Sequence, residues 1–212
     1  MIMNYLLDKK NELILVFTIA YLAAFTINAF VWGNFEFLYY TILMIALIYF
    51  VLILNKSIHL GFFITFSLSV LGFLHLLGGN LYFGTIRLYD WYIIPGIFRY
   101  DNFIHSLGTF ITTIALYSLV SGYVHLRLRR RYAAFAIMLV LMAIGLGSIV
   151  ELVESVAVVV FGAAERVGGY FNNALDLWFN TIGSILATII IYFYIHRPKF
   201  IQRINGAPKT NN

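Results

Sequence analysis

Cysteine is absent from all 212 residues, which excludes a disulfide framework, a cysteine metal site and a thiol nucleophile, and leaves no sequence mark of redox compartment. Any bound metal must therefore take histidine and carboxylate ligands. Charge is almost as scarce: 11% of residues are Asp, Glu, Lys or Arg, against roughly 25% in soluble domains. With 62% hydrophobic residues and a mean hydropathy of +0.89, the chain reads as an integral membrane protein of one domain. Also missing are a glycine-rich phosphate loop, a serine nucleophile elbow and a His-Glu-x-x-His zinc helix. No internal repeat is visible, which counts against the inverted-repeat transporter folds.

What is present is a series of apolar runs, each near the roughly 20 residues needed to cross a hydrocarbon core. Six are predicted: Leu13 to Trp32, Phe37 to Leu54, Ile58 to Leu77, Phe103 to Tyr123, Tyr132 to Phe161, and Ala174 to Ile195. The fold class is thus an all-α polytopic helix bundle, a single domain over 1–198 followed by a polar, basic, disordered tail over 199–212. In the long fifth run Gly145 and Gly147 are expected to bend the helix or let a neighbour come close. The first run follows Lys9 and Lys10 as a secretory signal would, but its length and lack of a clear cleavage site favour a retained anchor.

Basic residues near short loops stay cytoplasmic, and this orients the bundle. One side collects Lys9, Lys10, Lys56, Arg127, Arg129, Arg130, Arg131, Arg197, Lys199, Arg203 and Lys209; the other receives Arg87, Arg99 and Arg166. Both termini are predicted cytoplasmic in a multi-pass protein of the cell membrane. The net charge of +5 follows from these loops, with "RLRRR" at 127–131 facing anionic headgroups. The expected partner is membrane lipid; no basic face with interleaved aromatics suggests nucleic acid.

Ionisable side chains at membrane depth are costly, so their placement is informative. His75 ends the third span, Asp101, Asn102 and His105 open the fourth, and Asn172, Asn173, Asp176 and Asn180 lie early in the sixth. Glu151 and Glu154 fall about 10 to 15 Å from the outer end of the fifth span at ~1.5 Å per residue. All share the outer leaflet. The pairs Asp101/His105, Glu151/Glu154 and Asp176/Asn180 are three or four residues apart, so each pair occupies one helix face. Such stripes belong inside the bundle, and the near absence of ionisable groups in the inner half suggests an outward cup rather than a channel. His59, His125 and His196 fall at inner boundaries and read as interfacial. Tyr39, Tyr40 and Tyr82 read as interface belt and packing.

Several chemistries fit this set. Asp101 can orient His105 as a base by fixing its free ring nitrogen, and Glu151 with Glu154 can hold a proton between them. Alternatively, His75, His105, Glu151, Glu154 and Asp176 supply a nitrogen and oxygen set for Zn²⁺, Mn²⁺ or Fe²⁺, whose bound water would attack a lipid-borne phosphoester or amide. The candidate catalytic residues are Asp101, His105, Glu151 and Glu154; Asp90, Trp91, Tyr100, Asn173 and Asn180 are candidate substrate contacts. Proton-coupled transport is a second reading. A third is a structural lock, in which Asn172, Asn173 and Asn180 hold helices together or an Asn caps the sixth helix. In that case the Glu pair needs a counter-charge from the histidines, Arg99 or Arg166. The segment Asn80 to Arg99, with Pro95 and Gly96 as helix breakers, is expected to be a re-entrant or interfacial lid with Arg87 and Asp90 at its entrance.

The order His75-x-x-Gly78, Asp90-Trp91, Tyr100-Asp101-x-x-x-His105, Glu151-x-x-Glu154, Asp176 and Gly183 resembles the YjdF-type family of small multispanning prokaryotic membrane proteins, over roughly residues 60 to 190. That family commonly carries Asp-Thr where this chain has Asn172 and Asn173, and often a further acid near Asn180. A weaker similarity runs to VanZ-like proteins, through the Asp-x-x-x-His opening of one span, a Glu in the next, and Asp176, Asn180 and Gly183. The VanZ-like family is linked to glycopeptide resistance at the cell envelope, so the resemblance implies a membrane site there and no particular reaction.

Overall fold

Inside lipid a backbone amide has no water to bond, so each long apolar run satisfies itself by becoming a helix. The computed structural model describes residues 9–58, 60–125, 128, 131–162 and 170–196. Within them six helices are long and apolar enough to span: α1 (Lys9–Val31), α2 (Phe35–Ile58), α3 (Phe62–Asn80), α4 (Tyr100–Val120), α5 (Tyr132–Phe161) and α6 (Tyr170–Ile195). The protein is an all-α multispanning membrane bundle. His59, Arg127, Arg129, Arg130, Arg166, Arg197 and the 199–212 tail lie outside the described residues.

Helix ends differ from expectation where polar residues were discounted. α3 starts at Phe62 rather than Ile58, after Gly61 in extended conformation. α4 begins at Tyr100, not Phe103, because the Asn102 side chain reaches back to accept the Arg99 backbone N–H at 3.0 Å and so starts the helix early. It ends at Val120, short of the expected Tyr123. α6 begins at Tyr170, four residues before Ala174. Asn172 and Asn173 therefore sit inside the helix and do not cap it.

The segment between α3 and α4, expected as a re-entrant or interfacial lid, forms two small antiparallel hairpins. β1 (Tyr82–Phe83) pairs with β2 (Ile86–Arg87), and β3 (Tyr92–Ile94) with β4 (Phe98–Arg99). Gly84 and Gly96 supply positive φ, 64° and 73°, at the two turns. Between the hairpins a 3₁₀ turn, Leu88–Asp90, inserts Leu88 and Tyr89 into the bundle while the flanking strands stay mostly exposed.

α4 packs most extensively on α6, with α5 against both; α1 and α3 form a second group that meets α4 through α3. An aromatic-rich core at the hairpin end joins Tyr21, Phe37, Leu76, Tyr89, Tyr100 and Ile104. A second core, including Phe135, Leu139 and Ile191, fills the opposite end of α4, α5 and α6. Thr18 and Ser69 bond across α1 and α3 at 2.6 Å, and Asn28 donates to Asn80 at 2.9 Å near the hairpins. Side chains such as Phe63, Val159 and Ile189 stand exposed on outer faces, as lipid-facing positions should.

Candidate functional site

One turn into α4, His105 is buried with carboxylates on both sides of its ring. Its Nε2 lies 3.5 Å from Asp101 Oδ1, one turn back on the same helix, and 3.9 Å from Asp176 Oδ1 on α6. Its Nδ1 lies 3.5 Å from Glu151 Oε1 on α5. Three helices thus converge on one imidazole. Asp176 is fully buried, and Glu151 is buried with neither carboxylate oxygen hydrogen-bonded.

Amides hold the aspartates in place. Asn172 Nδ2 donates to Asp176 Oδ2 at 2.8 Å and to Asp101 Oδ2 at 3.5 Å, while Asn102 Nδ2 donates to Asp176 Oδ1 at 3.2 Å. Asn172 in turn accepts from Arg99 Nη1 at 3.4 Å, and the same guanidinium donates to Tyr92 Oη at 3.0 Å. Each aspartate is therefore oriented by neutral donors that leave its charge in place.

Asp101 also faces a pocket of about 340 Å³, counting its open mouth. Phe37, Tyr40, His75 and Tyr89 make its aromatic walls; Glu36, Arg87 and Glu154 add ionisable groups. Tyr89 Oη and His75 Nδ1 are 2.5 Å apart. Burial pushes the Tyr89 hydroxyl well above its ordinary pKa, so it meets Nδ1 as a neutral hydroxyl. Arg87 is buried, 4.0 Å from Glu36 Oε1 and 3.1 Å from Asp90 Oδ2, so the hairpin segment is tied to α2 by charge.

The predicted residues are thereby sorted into two neighbouring groups. Asp101, His105 and Asp176 each present a ligand atom within 4.8 Å of the others, with Glu151 against the far side of the ring. His75 and Glu154 stand instead in the pocket, and Tyr100 is buried beside it with its hydroxyl on the Leu74 carbonyl at 2.9 Å. Asp90 is exposed on its ion pair with Arg87, and Trp91 packs on Phe83, 6.0 Å between ring centres. Asn180 is buried one turn below Asp176, against Gly147 of α5, while half-buried Asn173 follows Asn172. Gly145 meets nothing within 4 Å.

Some participants carried little sequence signal. Of the tyrosines expected in the interface belt and in packing, Tyr40 is packed, buried in the pocket wall. Tyr82 is exposed as expected of a belt residue. Glu36, an acid at the start of an apolar helix, was a detectable signal. Asn102 and Asn172 were visible as polar residues, but their carboxylate partners depend on how α4 meets α6.

Chemically, an imidazole between carboxylates can move protons, and the nitrogen and oxygen atoms facing one another can hold a cation. No curated protein and no solved structure matches the chain. The YjdF-type resemblance is consistent with the family whose model matches, since YjdF is a member of it. The family described as "Predicted membrane protein (DUF2238)" matches residues 13–197, and the chain belongs to it.

Proposed function

We propose that the protein is an enzyme of the cell membrane that acts on an envelope lipid or a lipid-linked headgroup at the His105 site. The observation that carries this reading is one buried imidazole flanked by Asp101, Asp176 and Glu151, with Asp101 shared with an open pocket. The headgroup enters from the hairpin end, where the aromatic walls and Glu154 contact it. Asp101 orients His105, which takes a proton from the attacking water, and Glu151 stabilises the charged ring. The distribution of Lys and Arg directs this end outward.

Transport is the alternative, and it needs a polar route to the other end. The buried hydroxyls along that route, Thr109, Thr113, Ser184 and Thr188, bond carbonyls of their own helices, which favours the enzyme. A polar lock is favoured by one feature, the Arg99–Asn172–Asp176–Asn102 chain between α4 and α6. The deciding experiment reconstitutes wild type, His105→Ala and Glu151→Gln with envelope lipids, following lipid products by mass spectrometry and proton flux by dye. Product lost in both variants with flux unchanged supports the enzyme. Flux abolished by Glu151→Gln supports transport, and lowered melting with no product or flux in wild type supports the lock.

A further inference from the structure

We propose that Asp101, His105 and Asp176 form a divalent-metal site in which Glu151 accepts the second imidazole N–H and is not itself a ligand. This rests on the enzymatic reading only for what the ion does to substrate, and it changes one role there: with Nε2 on the ion and the proton on Nδ1, His105 serves as a ligand, and the ion in place of an imidazole base would acidify the attacking water.

The argument starts from spacing. Ligand atoms about 2.1 Å from one ion lie ~3.0 Å apart in an octahedron and ~3.4 Å apart in a tetrahedron. His105 Nε2 stands 3.5 Å from Asp101 Oδ1 and 3.9 Å from Asp176 Oδ1, at and beyond the outer limit of a hydrogen bond and only slightly wider than those edges. All three ligand atoms fall within 4.8 Å of one another. Glu151 is the independent observation: nine-tenths buried, with neither oxygen hydrogen-bonded, it points at Nδ1 on the other side of the ring from 3.5 Å. A metal on Nε2 requires the proton on Nδ1, and a carboxylate on that N–H is the usual device for holding a ligating histidine.

The donor set also bounds the ion. One imidazole and two carboxylates suit Mn²⁺, Fe²⁺ or Zn²⁺, and three protein ligands leave positions for water or substrate. Asp101, shared with the pocket, joins those positions to the headgroup's path. Asn172 and Asn102 keep each aspartate turned toward the ion.

To test this, detergent-purified full-length protein is incubated with Mn²⁺, Zn²⁺ or, without oxygen, Fe²⁺, then desalted and measured for metal per chain and for melting midpoint. About one ion per chain and a raised midpoint are expected with at least one metal. Both should be lost in His105→Ala and Asp176→Asn and kept in His196→Ala at the opposite end. Glu151→Gln should bind about 10- to 100-fold more weakly. Mn²⁺-loaded wild type should show coupling to a single imidazole nitrogen by pulsed electron paramagnetic resonance, a readout that needs no variant. Folded wild type that retains none of the three ions overturns the site, as does retention in both ligand variants or absence of nitrogen coupling. Unchanged affinity in Glu151→Gln overturns its assigned role. Chelated protein that still turns over lipid removes the ion and leaves the enzyme; protein that holds the ion and turns over nothing does the reverse.

Discussion

A Cβ on Gly183 of α6 would run into the backbone carbonyl of Ser106 on α4. Helix contacts in lipid gain little from the hydrophobic effect and depend on close backbone approach, so this glycine sets the spacing that brings Asp176 to His105. Gly183→Ala should lower stability by about 1–3 kcal/mol and weaken metal binding together. Gly145→Ala, whose added methyl meets nothing within 4 Å, should melt like wild type. Thermal melting in one detergent, run on both variants, checks the contrast.

Asn172 binds two carboxylates and neutralises neither. Asn172→Leu keeps a helix-compatible side chain while freeing Asp176 and Asp101 from the donor bonds at 2.8 and 3.5 Å. Metal affinity is expected to fall about 10- to 100-fold with the fold intact. Metal titration beside circular dichroism gives the result, and unchanged affinity would show that Asn172 serves only to join helices.

The buried Arg87–Glu36 pair anchors the hairpin segment over the pocket. Arg87→Ala removes the guanidinium 4.0 Å from buried Glu36 and should cost about 3 kcal/mol. Combining Arg87→Met with Glu36→Gln should recover most of that, because no uncompensated charge remains. Asp90→Ala, at the exposed end of the same arginine, should change stability by under about 1 kcal/mol. Strict additivity of the two pocket substitutions in a double-mutant cycle would show that the pair is not coupled.

Because the chain lacks cysteine, topology can be read with single introduced thiols. Thr85→Cys lies in the turn of the first hairpin, and Tyr123→Cys lies beyond α4 at the other end. A membrane-impermeant maleimide added to intact cells should label Thr85→Cys and spare Tyr123→Cys until the membrane is opened. The reverse pattern would turn the site toward the cytoplasm.

Much of this molecule is local and therefore legible. Each span follows from run length and the need to bond the backbone internally, and five-residue stretches such as Asp101 to His105 place two side chains on one face by helical geometry alone. The loop breakers Pro95 and Gly96 also act locally, and no helix forms there. Helix starts were less legible: Asn102 lies inside its helix because its side chain supplies a bond that the helix end lacks, and Asn172 lies inside α6, which starts at Tyr170.

What tertiary structure alone decided is which partner each polar face meets. Residues three apart on a helix diverge by about 60°, so Glu151 and Glu154, paired in the sequence, part between the His105 ring and the pocket. His75 fits a metal set by residue type, but the 3₁₀ turn carries Tyr89 onto its Nδ1 and draws it into the pocket wall. Run length and residue spacing already define six spans and a set of polar stripes on them. Their meeting at His105 depended on rotations and separations between helices, set by contacts such as Gly183 on Ser106 between residues 77 positions apart.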